Sequence, residues 1–308
     1  MPLLPVSVMP TGLTLQGQTV DPMPEMRRLL DRTPGAVCVM VHGFKYLPGH
    51  PRHCPHAGIL SASPARNTAR VVSWPRHLHA GVRRDTSIGV AFGWPARASI
   101  WNAYDRALQA GDALAAFLAA IRRHAPARPI RLVAHSLGAR VALRAIAQSR
   151  PNTVETAILL AAAEYAGLAE AALDDSGTRV LNVCSRENDV FDFLMELLIR
   201  APRSGDRMIG HRPLGAAGCT TLQIDDPASL AAIARIGFPV APPSRRVCHW
   251  SAYLRPGLFP LYRAVLDGTL SLSRLKAVLP SDAGPRWSLL RPNRPVSPRG
   301  LPAFPASR

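Results

Sequence analysis

Residues 130–143 read Ile-Arg-Leu-Val-Ala-His-Ser-Leu-Gly-Ala-Arg-Val-Ala-Leu. Ile130 to Ala134 is a short, nearly continuous apolar run, the pattern of a strand buried on both faces. From Leu137 to about Ser149 the apolar period becomes helical, with Leu137, Val141 and Ala145 on one face. Strand therefore gives way to helix within two residues, His135 and Ser136. Such a turn crowds its flanking backbones. Ala134 and Gly138, two residues either side of Ser136, supply the small side chains it needs.

The same alternation extends outward in both directions. Ala36–Val41 and Ile88–Phe92 read as strands. The segment 101–124 reads as a helix with Ala107, Gly111, Leu114, Leu118 and Ile121 on one face. Downstream, Val154–Leu160, Arg179–Cys184 and Thr220–Ile224 read as strands, and helices are expected over 165–173, 191–199 and 228–236. Short apolar strands alternating with helices define an α/β protein: a mostly parallel central sheet with helices on both faces. One domain is expected over 36–279. It follows an N-terminal segment, 1–35, with a candidate hairpin at Thr11–Val20, and precedes a Pro- and Arg-rich tail, 280–308, expected to be flexible. Within the domain, 45–87 is a long Pro-, His- and Arg-rich loop and a candidate cover.

Ala134-His135-Ser136-Leu137-Gly138 between strand and helix resembles the nucleophile elbow of the α/β hydrolases, in particular serine esterases and lipases. It departs from G-x-S-x-G by the methyl of Ala134. Val41-His42-Gly43-Phe44, at the end of an earlier strand, is similar to the oxyanion loop of that superfamily. The resemblance implies an α/β-hydrolase fold over roughly 36–253, Ser136 as nucleophile, and the backbone N–H groups of Phe44 and Leu137 as oxyanion donors. It also implies an acid and then a histidine, in that chain order. Asp189, after the strand 179–184, stands where the acid is expected, with Glu187 and Asp192 as neighbouring rivals. His249 is the expected base, because His211 precedes the strand 220–224. A histidine base places the rise of kcat/KM at about pH 6–7. The plainer readings are an N-cap serine at 136, a helix-capping Asp189 and a structural histidine at 249.

Composition bounds the rest. Of 308 residues, 47% are apolar, and the net charge is +17. Nearly all the positive charge is arginine, since Lys45 and Lys276 are the only lysines, and it is spread along the chain rather than gathered in one block. Nucleic-acid binding is not expected, while peripheral contact with an anionic surface is compatible with the charge. The five cysteines include no C-x-x-C pair, which argues against a disulfide framework or a zinc finger and suits a cytoplasmic protein. The longest apolar stretch, 157–173, is interrupted by Glu164 and Glu170. The functional expectation is cleavage of a small-molecule carboxylic ester, or a related thioester, amide or acyl-transfer reaction, with no cofactor and no metal. The alternatives are a non-catalytic binding protein of the same fold and an arginine-driven binder of anionic lipid or nucleic acid.

Overall fold

The computed structural model describes residues 2–65, 70–81 and 87–280. In chain order the elements are β1 (Leu3–Met9), β2 (Gly12–Leu15), α1 (Met23–Arg32), β3 (Ala36–Val41), α2 (Trp74–Leu78), β4 (Ser87–Gly93), α3 (Ile100–His124), β5 (Ile130–His135), α4 (Leu137–Ala147), β6 (Thr156–Leu160), α5 (Ala166–Leu173), β7 (Arg179–Cys184), α6 (Asp189–Leu198), β8 (Cys219–Gln223), α7 (Pro227–Arg235), α8 (Ser251–Leu254), α9 (Leu258–Asp267) and α10 (Leu272–Val278). The eight strands form one sheet in the order β2-β1-β4-β3-β5-β6-β7-β8. Every pairing is parallel except β1 with β2.

Strand alternation divides the interior into two cores. On β3, Val37, Val39 and Val41 face a core shared with α1, α3, α4 and α5. Cys38 and Met40 face the opposite core, shared with α2 and α7–α10. This is why the strands read as continuous apolar runs: both of their faces are covered. Among the described residues no helix is long and apolar enough to cross a membrane.

Several expectations change. The N-terminal segment is part of the domain: its hairpin is Leu3–Leu15 rather than 11–20, and β1 lies in register with β4, Leu3 opposite Gly89. Within the segment 45–87, described residues pack into the interior. Ile59, Leu60 and Trp74 are fully buried in the second core, and Trp74 meets Tyr253 edge-on at 5.3 Å. Residues 281–308, where the tail is expected, lie outside the described residues.

The arginines are not all surface charge. Arg128 donates to the carbonyls of Leu30, Thr33 and Gly35, and Arg122 to those of Pro126, Arg128, Asn152 and Thr153. Each guanidinium ties together carbonyls at element ends that would otherwise lack partners.

The elbow helix α4 lies tightly on α3. A methyl at Gly111 would stand 2.5 Å from the Arg144 Cβ and 2.9 Å from the Val141 carbonyl oxygen. Helix propensity favours Gly111→Ala by about 1 kcal/mol, but forcing a methyl into this contact costs about 1–3 kcal/mol. Packing therefore wins, and Gly111→Ala should lower the urea midpoint of unfolding. A raised midpoint would show that the two helices part freely.

Candidate active site

Ser136 sits at the C-terminal edge of the sheet between β5 and α4. Its backbone has φ +55° and ψ −126°, a conformation that costs an L-residue about 1–3 kcal/mol. Hydrogen bonds on both sides hold it. Ser136 N–H donates to Leu160 O at 3.0 Å, and Ser136 O accepts from Ala139 N at 2.9 Å and Ala163 N at 3.1 Å. The side chain caps nothing, which removes the plain N-cap reading.

The His-Gly loop rests directly on this turn. A methyl at Gly43 would meet the Ser136 Cβ at 2.8 Å and the His135 carbonyl oxygen at 2.9 Å; one at Gly138 would lie 2.5 Å from the His42 carbonyl oxygen. Glycine is thus required at both positions by close approach. His42 fixes the loop. Its Nδ1–H donates to Gly43 O at 2.9 Å, its Nε2 accepts from Trp94 N at 3.0 Å, and Trp94 Nε1 donates back to His42 O at 2.9 Å. That pattern needs a neutral ring, and burial pushes the His42 pKa down to about 3. Among the described residues, neither Phe44 N–H nor Leu137 N–H donates a hydrogen bond to protein.

Behind the elbow lies a buried ion pair. Arg140 Nη1 meets Glu164 Oε2 at 2.5 Å, while Glu164 Oε1 accepts from Tyr104 Oη at 2.8 Å and Tyr165 N at 2.9 Å. Arg140 Nε also donates to Tyr104 O at 2.9 Å. This satisfied network clamps α4 to α3 and to the chain following β6.

His249 comes to the same sheet edge. Its Nδ1–H donates to Asn188 Oδ1 at 2.6 Å, a contact that leaves Nε2 as the ring's acceptor. Its ring lies 4.7 Å from that of His135 and 4.8 Å from that of Phe191. Burial holds its pKa well below the ordinary histidine value, and the neighbouring His135 lowers it further. Among the described residues no hydrogen bond joins His249 to Ser136. His135, adjacent to the serine, contacts the His249 loop. Its Nε2–H donates to the His249 carbonyl at 3.1 Å, and burial lowers its pKa to about 4.

The structure does not place the expected acid on the base. Asn188, not Asp189, meets His249. The 3₁₀ turn Arg186–Asn188 runs straight into α6, so successive side chains fan around the axis. Asn188 faces His249, while Asp189 Oδ1 points to His211 Nε2 at 3.7 Å. Both rivals are also committed elsewhere. Glu187 pairs with Arg255, which also donates to Ile224 O, and accepts from Ser185 Oγ at 3.0 Å. Asp192 lies near Asp189 and His211.

Helix α6 carries its polarity the unusual way round. Asp189, Asp192 and Glu196 are buried, whereas Leu194, Leu197 and Leu198 are exposed. Phe191, in the first turn of α6, lies against the His249 ring. Glu196 accepts from His211 Nδ1 and Met208 N, both at 3.0 Å, and pairs with Arg207 at 3.2 Å. Burial pushes the His211 pKa down. The bond to Glu196 and the charges of Asp192, Glu196 and Asp189 outweigh it, and the net shift is upward.

Residues 24–164 match the family described as "Alpha/beta hydrolase of unknown function (DUF900)". The match supports membership of the α/β-hydrolase superfamily. The matched stretch spans α1 to the chain just beyond β6, and so includes both His42-Gly43 and Ser136. No curated protein matches the chain. The match agrees with the sheet, in which β3, β5 and β7 deliver the His42-Gly43 loop, Ser136 and Asn188 to one edge.

The Glu187–Arg255 pair also anchors the loop of His249, since Cys248 N–H donates to Glu187 O at 2.9 Å. Both side chains are buried, so Glu187→Gln leaves a guanidinium without its counter-charge. It should destabilise the protein by about 3–5 kcal/mol in chemical unfolding. Glu25→Gln, in the exposed pair with Arg28, should cost less than about 1 kcal/mol. Equal costs would mean that the buried pair is not an anchor.

Proposed function

We propose that the chain is a serine hydrolase that cleaves a carboxylic ester, or a related acyl bond, through an acyl-enzyme on Ser136. The observation that carries this reading is the Ser136 turn. A strained backbone is maintained by three hydrogen bonds around a side chain that caps nothing, and His249 sits at the same edge with Nδ1 occupied. Strain of this kind persists where a side chain must be presented to a reacting partner.

In this reading His249 Nε2 takes the Ser136 hydroxyl proton as Oγ bonds to the substrate carbonyl carbon. The carbonyl π electrons move onto oxygen, and the N–H groups of Phe44 and Leu137 receive that charge. On collapse the bond to the leaving oxygen breaks, and His249 returns the proton to it. Water, deprotonated in turn by His249, attacks the acyl carbon and releases the carboxylic acid and Ser136. Asn188 keeps the imidazole in the productive tautomer but, being neutral, offers the transient imidazolium no counter-charge. Serine and base must also close to hydrogen-bonding distance when substrate binds.

The neutral Asn188 favours a second reading, a pocket of this fold that binds an acyl compound without turnover. A fluorophosphonate probe separates the two. Labelling of Ser136, lost in Ser136→Ala and His249→Ala, supports the hydrolase; a folded protein that stays unlabelled supports the binder.

The pH profile reports on the base. Only neutral imidazole accepts the serine proton, so kcat/KM rises with pH through the His249 ionisation. Burial lowers that ionisation, so the rising limb should lie at lower pH than the expected 6–7. Asn188→Asp should move the rising limb to higher pH, because a carboxylate on Nδ1 stabilises the imidazolium. Asn188→Ala should cost on the order of 10²-fold in kcat through misorientation of the ring. If Asn188→Ala keeps full activity while Asp189→Asn is as damaging as His249→Ala, Asp189 is the orienting group.

A further inference from the structure

We infer that Asp189, Asp192 and His211 form a binding site for a divalent transition-metal ion of the zinc class, behind Asn188 and separate from Ser136. One ligand atom from each of the three residues can be chosen so that all lie within 4.8 Å of one another. The set mixes two carboxylates with an imidazole. That combination suits zinc and its neighbours better than calcium or magnesium, which take oxygen ligands almost exclusively.

Proximity of acids alone would not make a site. The second observation is His211. Its side chain has no solvent exposure, and its Nδ1 is fixed by Glu196 at 3.0 Å. Its Nε2 is buried without a hydrogen-bond partner, with Asp189 Oδ1 3.7 Å away. A metal-bound histidine commonly shows this pattern: one ring nitrogen is held by a carboxylate, and the other is turned toward ligand oxygens. Glu196 is the outer carboxylate here, and Arg207 and the Met208 N–H hold it in turn.

The surrounding chain makes the same arrangement rigid. Gly210, next to His211, has no room for a methyl, which would fall 2.1 Å from Asp192 Oδ2. Asn182 on β7 donates to Ile209 O at 3.0 Å and fixes the approach of that loop to α6. The helix thereby turns its carboxylate stripe inward and its leucines outward, against the ordinary preference of both. An ion bridging α6 to the 207–211 loop would add positive charge to that inward stripe and join it to His211. Asp189 follows Asn188 directly, so the ion would also hold the first turn of α6. That last consequence rests on the proposed hydrolase function; the binding itself does not.

The test is titration of EDTA-stripped full chain with Zn²⁺ by calorimetry, with thermal unfolding and the visible spectrum of a Co²⁺ complex as parallel readouts. The expected result is one ion per chain, a raised unfolding midpoint, and Co²⁺ bands characteristic of nitrogen and oxygen ligands. Asp192→Asn and His211→Ala should each weaken binding by about 100-fold or more. Absence of saturable Zn²⁺ binding to the wild-type chain overturns the proposal whatever the variants do. Binding that survives both substitutions unchanged places the ion elsewhere and overturns it as well. Ser136→Ala should bind Zn²⁺ like wild type, so loss of hydrolysis and loss of metal are read independently.

Discussion

Ser136 must hold a positive φ, and most of the site is arranged around that demand. No side chain relieves the strain. It is met by Leu160, Ala139 and Ala163 gripping the serine's own peptide groups. Leu160 ends β6, Ala163 lies in the chain just after it and Ala139 lies in α4, so the turn holds only when β6 and α4 are both in place. The close approach of His42 to Gly138, and of Gly43 to Ser136, is the other half of the same constraint. The buried Arg140–Glu164 pair locks α4 against the recoil.

Around the serine the chemistry is kept uncharged. His42, His135 and His249 are each driven toward the neutral form by burial. Their orientations come from backbone carbonyls, a backbone N–H and one amide side chain rather than from ions. Negative charge is concentrated instead on the inward face of α6, one helical step from Asn188. In a chain of net charge +17, Glu164, Glu187, Asp189, Asp192 and Glu196 are buried, while guanidinium groups such as those of Arg122, Arg128 and Arg255 brace backbone carbonyls.

The fold was legible where burial is two-sided and the elements are regular. The strands 36–41, 88–92, 130–134 and 179–184 and the helix 101–124 appear within a residue or two of their expected ends. The first strand was not, because Pro5 argues against a sheet interior; yet β1 lies inside the sheet, with Pro5 opposite Ala91. The helices α8 and α10 were missed because they are short, and α9 because Pro256 and Gly257 precede it and Pro260 lies in its first turn. Of the site, the serine turn and the His-Gly loop were readable, since both depend on local crowding. Which of two adjacent residues, Asn188 or Asp189, faces His249 depends on the phase of one turn relative to a distant loop, and periodicity does not carry that information. The approach of His211 to α6 is likewise a tertiary fact, and no cysteine spacing could signal a site built from carboxylates and imidazole.

The position of β1 in the sheet sets the order in which the chain can fold. Leu3 finds its partner at Gly89, 86 positions later, while β5, β6 and β7 each pair with the next strand in sequence. During synthesis the hairpin of β1 and β2 therefore leaves the ribosome with one edge unpaired and waits until β4 has emerged. Local pairings close quickly and distant ones slowly, so docking of the hairpin belongs, with the β3–β5 pairing of Val37 and Ile130, to the slower events. Until then β4 itself is an open edge, the place where a growing chain is most exposed to pairing with a neighbour.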